Sequence, residues 1–148
     1  MRVETPEAGA EQATTANIKR FKVKDTWKDF EVVLEVDLNR LTAERAQQIN
    51  SFWTSAEDRQ DEEGGDVIRA VIRLAGLEVM CEILEDRGAD FGDADRWLCE
   101  KTTQKLHDSE GWGGRSEGDG FGWCGIRVVG AEVDLPCFED VAVSEVSA

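Results

Sequence analysis

Positive charge is scarce in this chain. Across 148 residues, 17 Lys and Arg stand against 32 Asp and Glu, leaving a formal net charge of −15 and a pI near 4.4. Such a chain is repelled by a phosphate backbone or an anionic membrane surface, so direct nucleic-acid or membrane binding is disfavoured and a basic partner is expected. No run of about 18 apolar residues occurs, which excludes a predicted bilayer-spanning helix. The first residues, Met1-Arg2-Val3-Glu4-Thr5-Pro6, lack the apolar stretch of a secretion signal, and a cytoplasmic protein is expected. Cysteines are few and wide apart: Cys81, Cys99, Cys124 and Cys137 are expected to stay reduced in an intracellular chain of this length. Only two prolines interrupt the sequence, while 41% of residues are hydrophobic and eleven are Trp or Phe. That is enough apolar surface for one core, and the length suits one domain.

Residues 1–17 carry no periodic apolar pattern and are expected to form a disordered tail, with a single α+β domain over residues 18–148. Five of the seventeen positive charges (Lys19, Arg20, Lys22, Lys24, Lys28) crowd into residues 18–28, alternating with Phe21 and Val23 as in a basic edge strand. After a hairpin turn at Asp25 to Asp29, Phe30, Val32, Leu34, Val36 and Leu38 alternate with mostly polar residues, which predicts a half-buried strand. Thr42 suits the cap of a helix with Ala46, Ile49, Trp53 and Ala56 on one face, ending near Ala56 or Glu57.

An acidic segment, Glu57 to Glu63, runs into Gly64-Gly65, and Asp66 then caps a long helix over about 67–86. Its apolar face shifts near Gly76, so either the helix kinks there or different neighbours cover its two halves. Glu78, Glu82 and Glu85 are expected to form an exposed acidic stripe on the second half. Gly88 suits the helix end, and Asp90-Phe91-Gly92-Asp93 leads to a third helix over about 94–107 with Trp97, Leu98, Thr102 and Leu106 as contacts. Seven of the fifteen residues from Gly111 to Gly125 are glycine, which predicts a loop with Trp112, Phe121 and Trp123 as aromatic anchors. Residues 126–135 read as a strand whose phase slips near Gly130, closed by Pro136, and Val141 and Val143 offer a short last strand. The expected architecture is a small antiparallel sheet, two N-terminal strands plus one or two C-terminal strands, covered by about three helices.

Chemistry-bearing patterns are thin apart from the carboxylates. Asp90, Asp93 and Asp95 do not meet the ligand positions of a calcium loop, because Phe91, Gly92 and Lys101 fall in its required slots. Structural zinc needs close-spaced ligand pairs, and Cys99, His107, Cys124 and Cys137 are scattered, so no metal and no cofactor is expected. One histidine is a poor basis for a nucleophile-base pair, and no catalytic residues are assigned. The loop Gly118-Asp119-Gly120-Phe121-Gly122 lacks the lysine and serine of a phosphate-binding loop, and its own acids repel phosphate.

What remains is clustered negative charge: Asp58, Asp61, Glu62, Glu63 and Asp66; Glu82, Glu85 and Asp86; Asp90, Asp93 and Asp95. Carboxylates three or four apart on a helix stand about 5–6 Å from one another and can present regular negative charge to a cleft that holds nucleic acid, or simply solvate a surface and cap helices. Trp112 and Trp123 either anchor a partner or pin their loop to the core.

The stretches Ile18-Lys19-Arg20-Phe21, Phe52-Trp53 with Ala56, Glu57 and Arg59, Ala70 to Ala75, Glu110-Gly111-Trp112 and Gly125-Ile126-Arg127 resemble a family of small acidic proteins carried by bacteriophages and prophages of proteobacteria, whose function is unassigned. The insert around Gly113 to Gly122 is longer than the family pattern. The resemblance implies a phage accessory protein and carries over no functional residues. Accessory proteins of this size and acidity commonly occupy a host defence protein, such as a CRISPR effector or restriction enzyme, at its nucleic-acid surface.

The expectation is therefore a non-enzymatic inhibitor of a basic nucleic-acid-handling protein, acting in the host cytoplasm as an anti-CRISPR or DNA mimic through the acidic clusters, Trp112 and Trp123. Reversal of Asp61, Glu62 and Glu63 to lysine is the matching test. The alternative is an adaptor that binds through apolar and aromatic surface, its acidity serving solubility alone. A homodimer, with the basic segment 18–28 against an acidic face of a second copy, is also compatible with the charge pattern.

Overall fold

A computed structural model describes residues 17–116 and 120–147. The predicted tail lies outside them except for Asn17, whose carbonyl accepts a hydrogen bond from Leu38 N at 3.0 Å. The hairpin of β1 (Ile18–Lys24) and β2 (Glu31–Asp37) forms where the alternation predicts it. Asp25 folds the turn by accepting hydrogen bonds on its own side chain from Trp27 N at 2.7 Å and Lys28 N at 3.3 Å, and Asp29 takes the left-handed conformation at φ 61°. Val32, Leu34 and Val36 are fully buried on one face of β2, leaving Glu31, Val33 and Glu35 on the open face of the sheet.

Helices follow as α1 (Ala43–Asn50), α2 (Ala56–Glu62) and α3 (Val67–Glu85). After β3 (Ala89–Phe91) come α4 (Arg96–Asp108), β4 (Ile126–Val133) and a single 3-10 turn at Phe138–Asp140. The strands make one antiparallel sheet in the order β1-β2-β4-β3, and the fold is α+β. The predicted phase slip is a bulge: Val33 pairs with Gly130 and Leu34 with Val128, so Val129 is the extra residue.

Three expectations are corrected. The first helix stops at Asn50 rather than near Ala56, and the acidic segment after it is a helix of its own, α2. The fourth strand is β3, because Gly88 (φ 95°) closes α3 by donating to Ile83 O at 2.9 Å and turns the chain back along β4. Three residues are too short to show an alternation. Val141 and Val143 join no sheet and stand exposed.

β3 covers only the Ala131–Val133 part of β4, and α4 completes that edge with side chains. Thr103 Oγ1 accepts from Val128 N at 2.8 Å, and His107 Nε2 lies 2.7 Å from Ile126 O, a carbonyl that can only accept, so Nε2 carries the proton. These two residues, four apart on α4, satisfy strand groups that would otherwise be buried without partners. The lone histidine is a structural one.

α3 is the central element of the core, with Val71, Ala75 and Val79 fully buried and contacts to β1, β2, β4 and every other α-helix. Different neighbours do cover its two halves. A Cβ on Gly76 would lie 2.5 Å from Val23 Cβ, so helix and strand touch where only glycine fits. Gly76→Ala ordinarily favours a helix by about 1 kcal/mol, but here the overlap with a β-branched side chain reverses the sign and should cost about 1–3 kcal/mol. Urea unfolding checks this, and Val23→Ala in the same chain should restore most of the loss.

Candidate partner-binding surface

The acidic helix α2 is held from beneath by one arginine. Arg59 donates from Nε to Asn50 Oδ1 (2.8 Å), from Nη2 to Asn50 O (2.9 Å) and from Nη1 to Thr54 O (2.7 Å), while Asn50 Nδ2 donates to Ala56 O (2.9 Å). This clamp satisfies end carbonyls of α1 and fixes α2 against it. Ser55 enters the helix at φ 67° without a side-chain cap, so this start does not rest on the usual capping hydrogen bond.

Glu57, Asp58 and Asp61 stand exposed on α2, and no ion pair engages them among the described residues. Glu62 and Glu63 are different. Arg73 pairs with both, at 2.9 and 2.8 Å, and Arg69 reaches Glu63 at 3.2 Å. The Arg73 hydrogen bond holds Glu63 below the ordinary glutamate pKa. These two carboxylates tie α2 to α3, and Asp66 caps α3 by accepting from Ile68 N and Arg69 N at 3.1 Å. Reversing Glu62 and Glu63 would therefore break the joint rather than probe a surface.

The predicted stripe on α3 is not uniformly exposed. Glu82 lies half-buried with Ser109 Oγ donating to its Oε2 at 2.6 Å, and its Oε1 is buried with no hydrogen-bond partner among the described residues. Burial first, then repulsion from Glu78, pushes its pKa up to about 7. Glu85 is exposed, and Asp86 is engaged by Lys105. A folded pKa above the unfolded value means that this group's contribution is fully present below about pH 4.5 and is lost as pH rises through about 7. Discounted for its partial exposure, the charge costs about 1 kcal/mol at pH 8. Glu82→Gln should raise the melting midpoint by about 3 °C at pH 8 and leave it unchanged at pH 4, measured by differential scanning calorimetry.

The third cluster also disperses. Asp90 lies in β3 opposite Glu132, Asp95 caps α4 by accepting from Leu98 N at 3.2 Å, and Asp93 meets Arg20 at 3.4 Å. Arg20 belongs to a network on the open face of the sheet, where Glu35 accepts from Arg20 Nη2 at 2.8 Å and from Arg127 Nη2 at 2.7 Å. Burial works to raise the Glu35 pKa, but the two arginines outweigh it and hold the carboxylate below its ordinary range. Among the described residues no group of three or more His, Cys, Asp or Glu is placed to hold a metal ion.

Trp112 is not a surface anchor. Its exposure is 0%, its ring lies 5.5 Å from that of Trp53, and Gly111 (φ 92°) lets the chain pass beneath the Phe52 and Trp53 rings. Trp123 is half-buried under the Arg45 guanidinium, 4.5 Å from its ring, and Arg45 also donates to Trp123 O at 2.8 Å. Both pin the glycine-rich loop to the core; residues 117–119 of that loop lie outside the described residues. Exposed aromatics lie elsewhere, among them Phe52, Phe138, Trp27 at the hairpin tip (90%) and Trp97 on α4 (64%), the last expected as a helix contact. Their signal was available only in part, since an apolar residue inside the predicted Asp25 to Asp29 turn has nothing local to bury against.

Among the described residues no helix is long and apolar enough to cross a membrane. The family model described as a protein of unknown function, DUF2528, matches residues 31–143. Protein ea10 of Escherichia phage lambda is 30% identical over 97 residues, 66% of this chain and 75% of its own length. The lambda prophage-derived protein ea10 of Escherichia coli O6:H1 (strain CFT073) matches to the same extent. No solved structure matches the chain. The chain therefore belongs to the DUF2528 family of proteins of unknown function, and its relatives are phage and prophage proteins.

Proposed function

We propose that this is a non-enzymatic phage accessory protein that docks on a basic host nucleic-acid-handling protein and blocks it, in the manner of an anti-CRISPR or a DNA mimic, in the bacterial cytoplasm. The observation that carries the proposal is the outer face of α2. Glu57, Asp58 and Asp61 project there with no ion pair to them among the described residues, on a helix clamped by Arg59, in a chain of net charge −15. Fixed carboxylates about 5–6 Å apart suit a basic groove, and long-range attraction would speed the encounter. Glu85 and Glu78 extend the negative field along α3. Trp112 and Trp123 have no part in the contact.

A second reading is an adaptor that binds through apolar surface, favoured by the exposure of Trp27 and Trp97. Salt separates the two. Host lysate passed over the immobilised chain and washed at about 0.1 M and then about 0.5 M salt should lose an electrostatic partner, because the screening length falls from about 10 Å toward about 4 Å. Release of a nuclease or CRISPR effector at the second wash supports mimicry. A salt-resistant partner with no nucleic-acid role supports the adaptor.

A further inference from the structure

We propose that the free edge of β1, with the groove between it and α3, receives residues 140–145 of a second copy of this chain as a fifth, antiparallel strand. β1 is an edge strand of seven residues, paired only with β2 among the described residues. α3 overhangs that edge and leaves a groove of about 460 Å³ lined by the apolar Val23, Leu74, Leu77 and Met80, by the cations Lys24 and Arg73, and by Asp25 and Glu62, the latter paired with Arg73. Leu77 is exposed there. An unpaired edge with an apolar lining is what an added strand requires: main-chain hydrogen bonds from one side and a surface for alternate side chains from the other.

The occupant is picked out by its own exposure and charge. Phe138 is 87% and Val143 97% exposed, residues 141–147 belong to no helix or strand, and Val141 and Val143 alternate with Asp140, Ala142 and Ser144; Asp140 ends the 3-10 turn and exchanges its hydrogen bond from Cys137 N (2.9 Å) when the strand forms. Placing Val141 opposite Val23 and Val143 opposite Phe21, antiparallel, brings Asp140 opposite Lys24 and Glu145 opposite Lys19. Within β1 the apolar and charged positions match with no like charges facing, and Glu139 meets Asp25 just beyond the strand. The parallel register that pairs Val141 with Phe21 also meets Asp25, there with Glu145, and so leaves Glu145 without the lysine that the antiparallel register gives it. The lysines of β1 would repel another β1, so they block direct edge-to-edge pairing while accepting an acidic strand. Within one copy residues 141–147 pair with no strand, and reciprocal exchange of two tails closes a twofold dimer.

Sedimentation of the full chain over about 1–200 µM tests this by mass action. A concentration-dependent dimer is expected, and Val141→Asp with Val143→Asp should abolish it. Lys24→Glu and Asp140→Lys should each weaken it at least about tenfold, and the two together should recover most of the loss, as a direct charge pair requires. All four residues are exposed, so melting midpoints should stay within about 2 °C of the parent and loss of folding cannot mimic the result. A chain that is monomeric throughout overturns the proposal, as does a dimer indifferent to the valine changes or a double charge variant no better than the singles. A monomer whose β1 amides lose protection from hydrogen exchange when Val141 and Val143 are changed also overturns it, since that is the tail docking on its own copy.

Discussion

Trp112→Ala should lower stability by about 3–5 kcal/mol, the range for emptying a fully enclosed aromatic site. For a chain of this length that is a fall of roughly 10 °C or more in melting midpoint, and a large share of the total stability of an ordinary domain. The size follows from where the ring sits. It has no exposed surface, it packs on Trp53, which in turn meets Phe52 edge-on at 4.9 Å, and it fastens the glycine-rich loop to the connection between α1 and α2. Glycine cannot hold that loop by its own contacts, so removing the indole frees the segment as well as opening a cavity. Trp112→Phe should cost less than half as much, because it keeps a ring against Trp53 and removes an indole N–H that is buried without a partner among the described residues. A loss below about 1 kcal/mol for Trp112→Ala, together with loss of partner capture, would return Trp112 to the surface.

Reversal of Glu57, Asp58 and Asp61 to lysine should weaken binding to a basic partner about 100-fold at about 0.1 M salt. Each exposed charge contributes roughly 0.5 kcal/mol and each reversal about doubles the effect, so three give about 3 kcal/mol. The loss should shrink as salt rises. Stability should change by no more than about 1 kcal/mol, arising from less favourable charge in the first turn of α2. The contrast is with Glu63, where the same reversal would set a lysine against Arg69 and Arg73 and loosen the α2 to α3 joint. Unchanged binding by the triple variant would remove the α2 face from the proposed interface.

Much of the fold was legible because it depends on neighbours in the chain. The alternation of Val32, Leu34 and Val36 needs only the two-residue period of a strand, and the cap at Asp66 needs only the next two amides. The bulge beside Gly130 showed as a slip in that same period. The boundary between α1 and α2 did not, since it turns on Arg59 gathering the carbonyls of Asn50 and Thr54 into one network.

The candidate surface divides along the same line. The order of the residues alone determined that the chain is strongly acidic and that its carboxylates come in clusters. Only the tertiary structure decided which of them face solvent. Arg69 and Arg73 claim Glu62 and Glu63, Lys105 claims Asp86, Arg20 claims Asp93, and Glu82 sinks beside Ser109. Each of those partners is distant in sequence or lies on another element. A carboxylate's charge is written in the chain, but whether that charge is spent within the molecule depends on which cation the fold brings within about 4 Å, and Coulomb attraction at that range is set by position in space.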